Sequence, residues 1–180
     1  MNKRIITVAL TATLGAAVLA WAHDEKEMKM PQKAASPEFQ QLKRLAGNWK
    51  GTSTPMGPNA KPEILVTEFE VTAAGSAIEE TLMKDTPHEM VDMYTDEGGK
   101  LAMTHYCAMG NHPHMVLKQA GPHQITLEMG ATPDIDAAKD SHMHSLTLEF
   151  PDADHLIERW TNYTNGKPGE TAVFTLARVK

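Results

Sequence analysis

Four residues carry the sharpest chemistry in this 180-residue sequence: His105, Cys107, His142 and His144. Each pair is spaced two apart, in Thr104-His105-Tyr106-Cys107 and in His142-Met143-His144. On an extended strand, residues two apart point to one face, separated by ~7 Å. Imidazole and thiolate are ligands for zinc and copper, so the four are a candidate metal set. Burying four polar groups singly is costly, so they are expected to share partners or an ion inside the fold. His112 and His114 follow Cys107 closely. Met103, Met109 and Met115 can add thioethers for Cu(I). The same residues also fit a plain polar lining, because a buried Cys is commonly a small inert hydrophobe. Both readings stay open on the sequence.

Strands must position these residues, and the patterning supplies them. Period-two stretches run over 48–52, 63–71, 77–84, 89–94, 100–107, 114–119, 124–129, 142–150, 155–163 and 171–179. Turn formers separate them, among them Ala74-Gly75, Gly98-Gly99, Gly110-Asn111, Gly121-Pro122 and Asn165-Gly166. Short strands at regular spacing with no helix between them predict an all-β, antiparallel up-and-down barrel of about ten strands. Ahead of them, Ser36-Pro37-Glu38 opens a short helix: a capping Ser, Pro at the first helical position and an early acid. Phe39, Leu42, Leu45 and Ala46 form its apolar stripe, and Gly47 stops it.

Alternation assigns faces. Leu101, Met103, His105 and Cys107 share one face. His142 and His144 share another with Leu146, Leu148 and Phe150. With the apolar faces turned inward, both metal-capable pairs line the interior. Tyr94, Glu158, Trp160 and Met103 are the further candidates for contacting a ligand there. Glu80 either joins them or is a surface acid.

The chain start is a targeting signal. Lys3-Arg4 precedes an uncharged run over 5–22 that ends in Ala20-Trp21-Ala22, a small-residue cleavage pattern. Residues 1–22 are read as a signal peptide, 23–36 as a flexible polar tether and 37–180 as the barrel domain. The implied location is periplasmic or secreted, with membrane contact only during export. A single Cys excludes an intramolecular disulfide framework. A net charge of −6 offers no basic footprint for nucleic acid. No G-x-S-x-G, H-E-x-x-H, G-x-G-x-x-G or C-x-x-C occurs, so helix-borne and phosphate-loop chemistries have no support.

Leu45-Ala46-Gly47-Asn48-Trp49-Lys50-Gly51, after the helix, resembles the opening of lipocalin-like, calycin-type barrels. It is similar to that of nitrobindin-like haem binders and of uncharacterised secreted bacterial barrels. The resemblance implies a binding barrel with Trp49 across its closed end. The nitrobindin-like members ligate haem through a His late in the chain. This sequence has no His after His155, so that ligand has no counterpart here. Beside an enzyme by analogy with the nitrobindin-like barrels, which the fold alone does not warrant, two function classes follow. One is a binding protein holding a small, largely apolar ligand beside the His/Cys cluster. The other is a zinc, copper or haem binding protein.

Overall fold

The computed structural model describes residues 34–180 apart from Pro55 and Pro58. The expected signal peptide and all but the end of the expected tether lie outside the described residues.

One helix precedes ten strands. Helix α1 is Pro37–Lys43, and the strands are β1 (Gly47–Thr54), β2 (Glu63–Thr72), β3 (Ala77–Leu82), β4 (Met90–Glu97), β5 (Lys100–Tyr106), β6 (His114–Gly121), β7 (Gln124–Met129), β8 (His142–Glu149), β9 (His155–Thr164) and β10 (Lys167–Arg178). Each strand pairs antiparallel with the next, and β10 returns to pair with β1. The barrel closes and leaves no open edge, the feature that makes this architecture resistant to edge-to-edge association. The all-β, ten-strand antiparallel barrel read from the strand spacing is therefore the observed fold.

The helix is shorter than its apolar stripe. Ser36 caps it by accepting the Phe39 N–H at 3.3 Å. After Lys43 the backbone tightens, and the N–H groups of Arg44, Leu45 and Ala46 each donate to the carbonyl three residues back. This last turn carries the chain into β1 through Gly47, whose φ of +123° suits glycine. Phe39, Leu42 and Leu45 remain buried, so the stripe still plugs one end of the barrel. Trp49 lies beneath it, fully buried, and its indole N–H donates to the Leu45 carbonyl at 2.8 Å. Gly51 marks a close strand approach: a Cβ there would lie 1.8 Å from the Thr175 carbonyl oxygen.

Inward positions follow the period of two. Leu101 and Met103 on β5, Ile125 and Leu127 on β7, Leu146 and Leu148 on β8, and Leu156 and Trp160 on β9 are all buried. They form one apolar core, into which a few polar side chains intrude.

Candidate functional site

Glu80 on β3, Asp92 on β4 and His105 on β5 stand directly opposite one another in register. Side chains facing across neighbouring strands have Cβ atoms ~4.5–5.5 Å apart. All three point inward and are buried. The row is thus a product of register: three strands each offer one ionisable group at the same level. The next inward level holds Ile78, Tyr94 and Met103, again directly opposite one another.

Hydrogen bonds organise this lining. His105 Nδ1 lies 2.6 Å from Asp92 Oδ1. The Tyr94 hydroxyl donates to Glu80 Oε2 at 2.7 Å. On β9, the Trp160 indole N–H donates to Glu158 Oε2 at 3.1 Å. The His105 and Trp160 rings lie 4.6 Å apart, centre to centre, so β5 and β9 meet across the interior. Glu80 and Glu158 are close enough to share a hydrogen bond when one is protonated. Of the buried side-chain atoms without a partner among the described residues, four belong to these groups: Glu80 Oε1, Glu158 Oε1, Asp92 Oδ2 and His105 Nε2. Asp92 Oδ2 and His105 Nε2 have no partner in hydrogen-bond geometry, although Glu80 lies close to Asp92 and Cys107 close to His105.

Burial sets the protonation of these groups. It raises the pKa of Glu80 well above the ordinary carboxylate value, and the charges of Glu158 and Asp92 raise it further. Burial also pushes Glu158 up to about 7, and it raises Asp92 despite the opposing charge of His105. For His105, burial disfavours the charged ring, but the charge and hydrogen bond of Asp92 outweigh it and lift the pKa to about 9. Cys107 is 9% exposed, just past the end of β5. Burial raises its pKa, yet His105 and a backbone N–H from Met109 bring the net below the usual thiol value.

The proposed ligand-contacting residues Met103, Tyr94, Glu158 and Trp160 all lie in the interior. His105 and Cys107 belong to the same lining. Asp92, absent from the sequence-based set, completes it. It stands two residues before Tyr94 on one strand, and that spacing was the signal for it.

His142 and His144 are placed otherwise. The pairing of β8 with β9 slips between Met143 and Ser145, so His144 is an extra residue in a bulge. Met143 takes the position opposite Asn162 and His142 the position opposite Tyr163. The period that would have turned both histidines toward Leu146 is broken, and they contact groups on the outer wall. The His144 ring stacks on Tyr163 with centres 3.7 Å apart. Its Nε2 lies 3.7 Å from Glu128 Oε1, and Glu128 also pairs with the exposed Lys118. The expected joining of the two pairs inside the barrel is therefore corrected. One pair is inside at β5; the other lies at β8 on the side of Tyr163 and Glu128, where His142 is buried and His144 partly exposed, with β6 and β7 between. Among the described residues, no group of three or more His, Cys, Asp or Glu side chains is arranged to hold a metal ion.

The remaining candidates scatter. His114 Nε2 reaches Glu97 Oε2 at 3.4 Å, and His112 packs edge-on against Tyr106. Met115 is in the core, whereas Met109 is exposed. At the helix-plugged end, a surface groove of about 400 Å³ is lined by residues that include Arg44, His123, Phe150, Asp154 and Arg178.

No protein-family model matches this chain, and no curated protein matches it. Solved structures are similar, two among them as follows. One is a protein of unknown function from the DUF3598 family of Nostoc punctiforme PCC 73102, with a TM-score of 0.52 and 13% identity over 77% of this chain and 49% of that one. The chain thus spans about half the length of the Nostoc protein. The other is Rv2717c from M. tuberculosis, with a TM-score of 0.52 and 18% identity over 82% of this chain and 100% of that one. At these identities the likeness carries the fold alone: a closed antiparallel barrel that is lipocalin-like in its coarse architecture.

Proposed function

We propose that this chain is an exported binding protein that holds a small ligand in the upper interior of the barrel. The apolar body of the ligand rests against residues such as Met103 and Trp160. Its polar end meets Asp92 and His105. The observation that supports this reading is that Asp92 Oδ2 and His105 Nε2, buried in one lining, meet no side chain in hydrogen-bond geometry. Buried polar groups are almost always satisfied, so an acceptor and a ring nitrogen left open call for an occupant with matching groups. Apolar walls with a few convergent polar groups are the usual design of small-molecule sites. An occupant bearing both a hydrogen-bond donor and an acceptor, such as an amide or an alcohol, fits the two open atoms. Export rests on the basic start and the Ala20-Trp21-Ala22 pattern.

Native mass spectrometry of the full chain, purified without heating or denaturant, tests the reading. The expected result is a non-covalent small-molecule adduct that is reduced in Asp92→Asn. Zinc, copper or haem in its place would identify a metal or haem binder instead. A chain at its bare mass that also takes up no compound from a small-molecule extract of the producing cells would overturn the proposal.

A further inference from the structure

We propose that His142 and His144 form a site for a divalent transition cation on the outer wall of β8, separate from the barrel interior. The argument starts from a backbone carbonyl. His142 Nδ1 lies 2.9 Å from the Asp140 carbonyl oxygen, which can only accept. Nδ1 therefore carries the proton and Nε2 presents a lone pair. That lone pair faces His144 Nδ1 at 3.2 Å.

The opposite side of the His144 ring supplies the second constraint. Its Nε2 points toward the carboxylate of Glu128 at 3.7 Å, and that carboxylate is anchored by Lys118 at 2.6 Å. Moving the His144 proton to Nε2, on the side of that carboxylate, frees Nδ1 as a second lone pair. Without metal, a proton between these two nitrogens makes the contact a hydrogen bond; a cation can take the proton's place and bind both lone pairs. With Zn–N bonds of ~2.05 Å, nitrogens at this separation subtend about 100° at the metal, close to tetrahedral. The outer nitrogens bond to a carbonyl and face a carboxylate, the arrangement that orients metal-bound imidazoles.

The fold builds this pair deliberately. The bulge turns His142 to the side of Tyr163, where its ring nitrogen meets that of His144. Tyr163 holds the His144 ring by stacking. Asn111 donates to the Ser141 carbonyl at 2.8 Å and fixes the segment that leads into His142. With two protein ligands, the other positions fall to water or to an incoming ligand. Imidazole donors suit Zn²⁺ and Cu²⁺.

Titration of the untagged full chain with Zn²⁺ alone tests the site by calorimetry and by imidazole ¹⁵N shifts. The expected result is one equivalent bound, with His142 Nε2 and His144 Nδ1 shifting together. His144→Gln should weaken binding by ten-fold or more. Glu128→Gln should weaken it ~10–100-fold, as loss of an orienting partner does. Cys107→Ser, in the interior, should bind as the parent does. Imidazole nitrogens that stay unshifted at saturating Zn²⁺ would overturn the proposal, as would full binding by a folded His144→Gln. Should His144→Gln fail to fold, the shifts in the parent chain decide alone. Adduct formation inside the barrel is read separately, so either proposal can fail without the other.

Discussion

His105 and Asp92 form a buried pair at 2.6 Å, and each keeps one atom without a partner. This places a cation and an anion side by side in the apolar interior. Such a pair does not add much stability against an apolar replacement of similar size, because desolvation offsets attraction. Removing one member alone is a different matter, since the other is left buried and uncompensated.

Asp92→Asn should therefore destabilise the barrel by ~3–5 kcal/mol, read by urea unfolding. The same change should lower the His105 pKa from about 9, because the charge and hydrogen bond of Asp92 are lost while burial remains, opposed by Cys107. An NMR titration of the His105 ring reads this directly. An unchanged pKa would mean that Asp92 does not hold the proton on His105.

Stability should fall as pH rises from about 5 to 9. Glu158 has a folded pKa of about 7, above its ordinary 4.5, so the folded state binds its proton more tightly than the unfolded chain. That contribution is complete below the unfolded value and is lost as pH rises through about 7. The His105 contribution is complete below 6.5 and is lost as pH rises through about 9. Both act in one direction. Thermal unfolding followed across this range should show a falling midpoint, and Glu158→Gln should flatten the lower half of the curve. A midpoint that rises between pH 6 and 9 contradicts the assignment.

The plugged end gives a third expectation. Arg178 lies over the Trp49 ring at 4.2 Å and donates to the carbonyls of Ala46 and Arg44 at 2.9 and 2.8 Å. It ties the last strand to the turn after α1. Trp49→Ala should cost ~3–5 kcal/mol, as large aromatic truncations in cores do. Arg178→Ala should cost about 1–2 kcal/mol through the lost ring contact and carbonyl bonds. Losses below ~1 kcal/mol for Trp49→Ala would show that the plug does not support the barrel.

The sequence by itself determined the strands, the antiparallel barrel and the inward face of most of them. Period two is a local property, so Met103, His105, Glu158 and Trp160 were assignable to the interior without any knowledge of neighbours. Cap and stop residues likewise marked the helix, though its tightened last turn shortened it. Tertiary structure decided two things that periodicity does not contain. Register placed Glu80, Asp92 and His105 at one level, because the pairing of strands depends on the whole closed ring. The β8 bulge inserted His144 as one extra residue and reversed the face of His142 relative to Leu146. Strict alternation presumes one residue per partner, and a single unpaired residue is enough to carry two histidines from the inner wall to the outer.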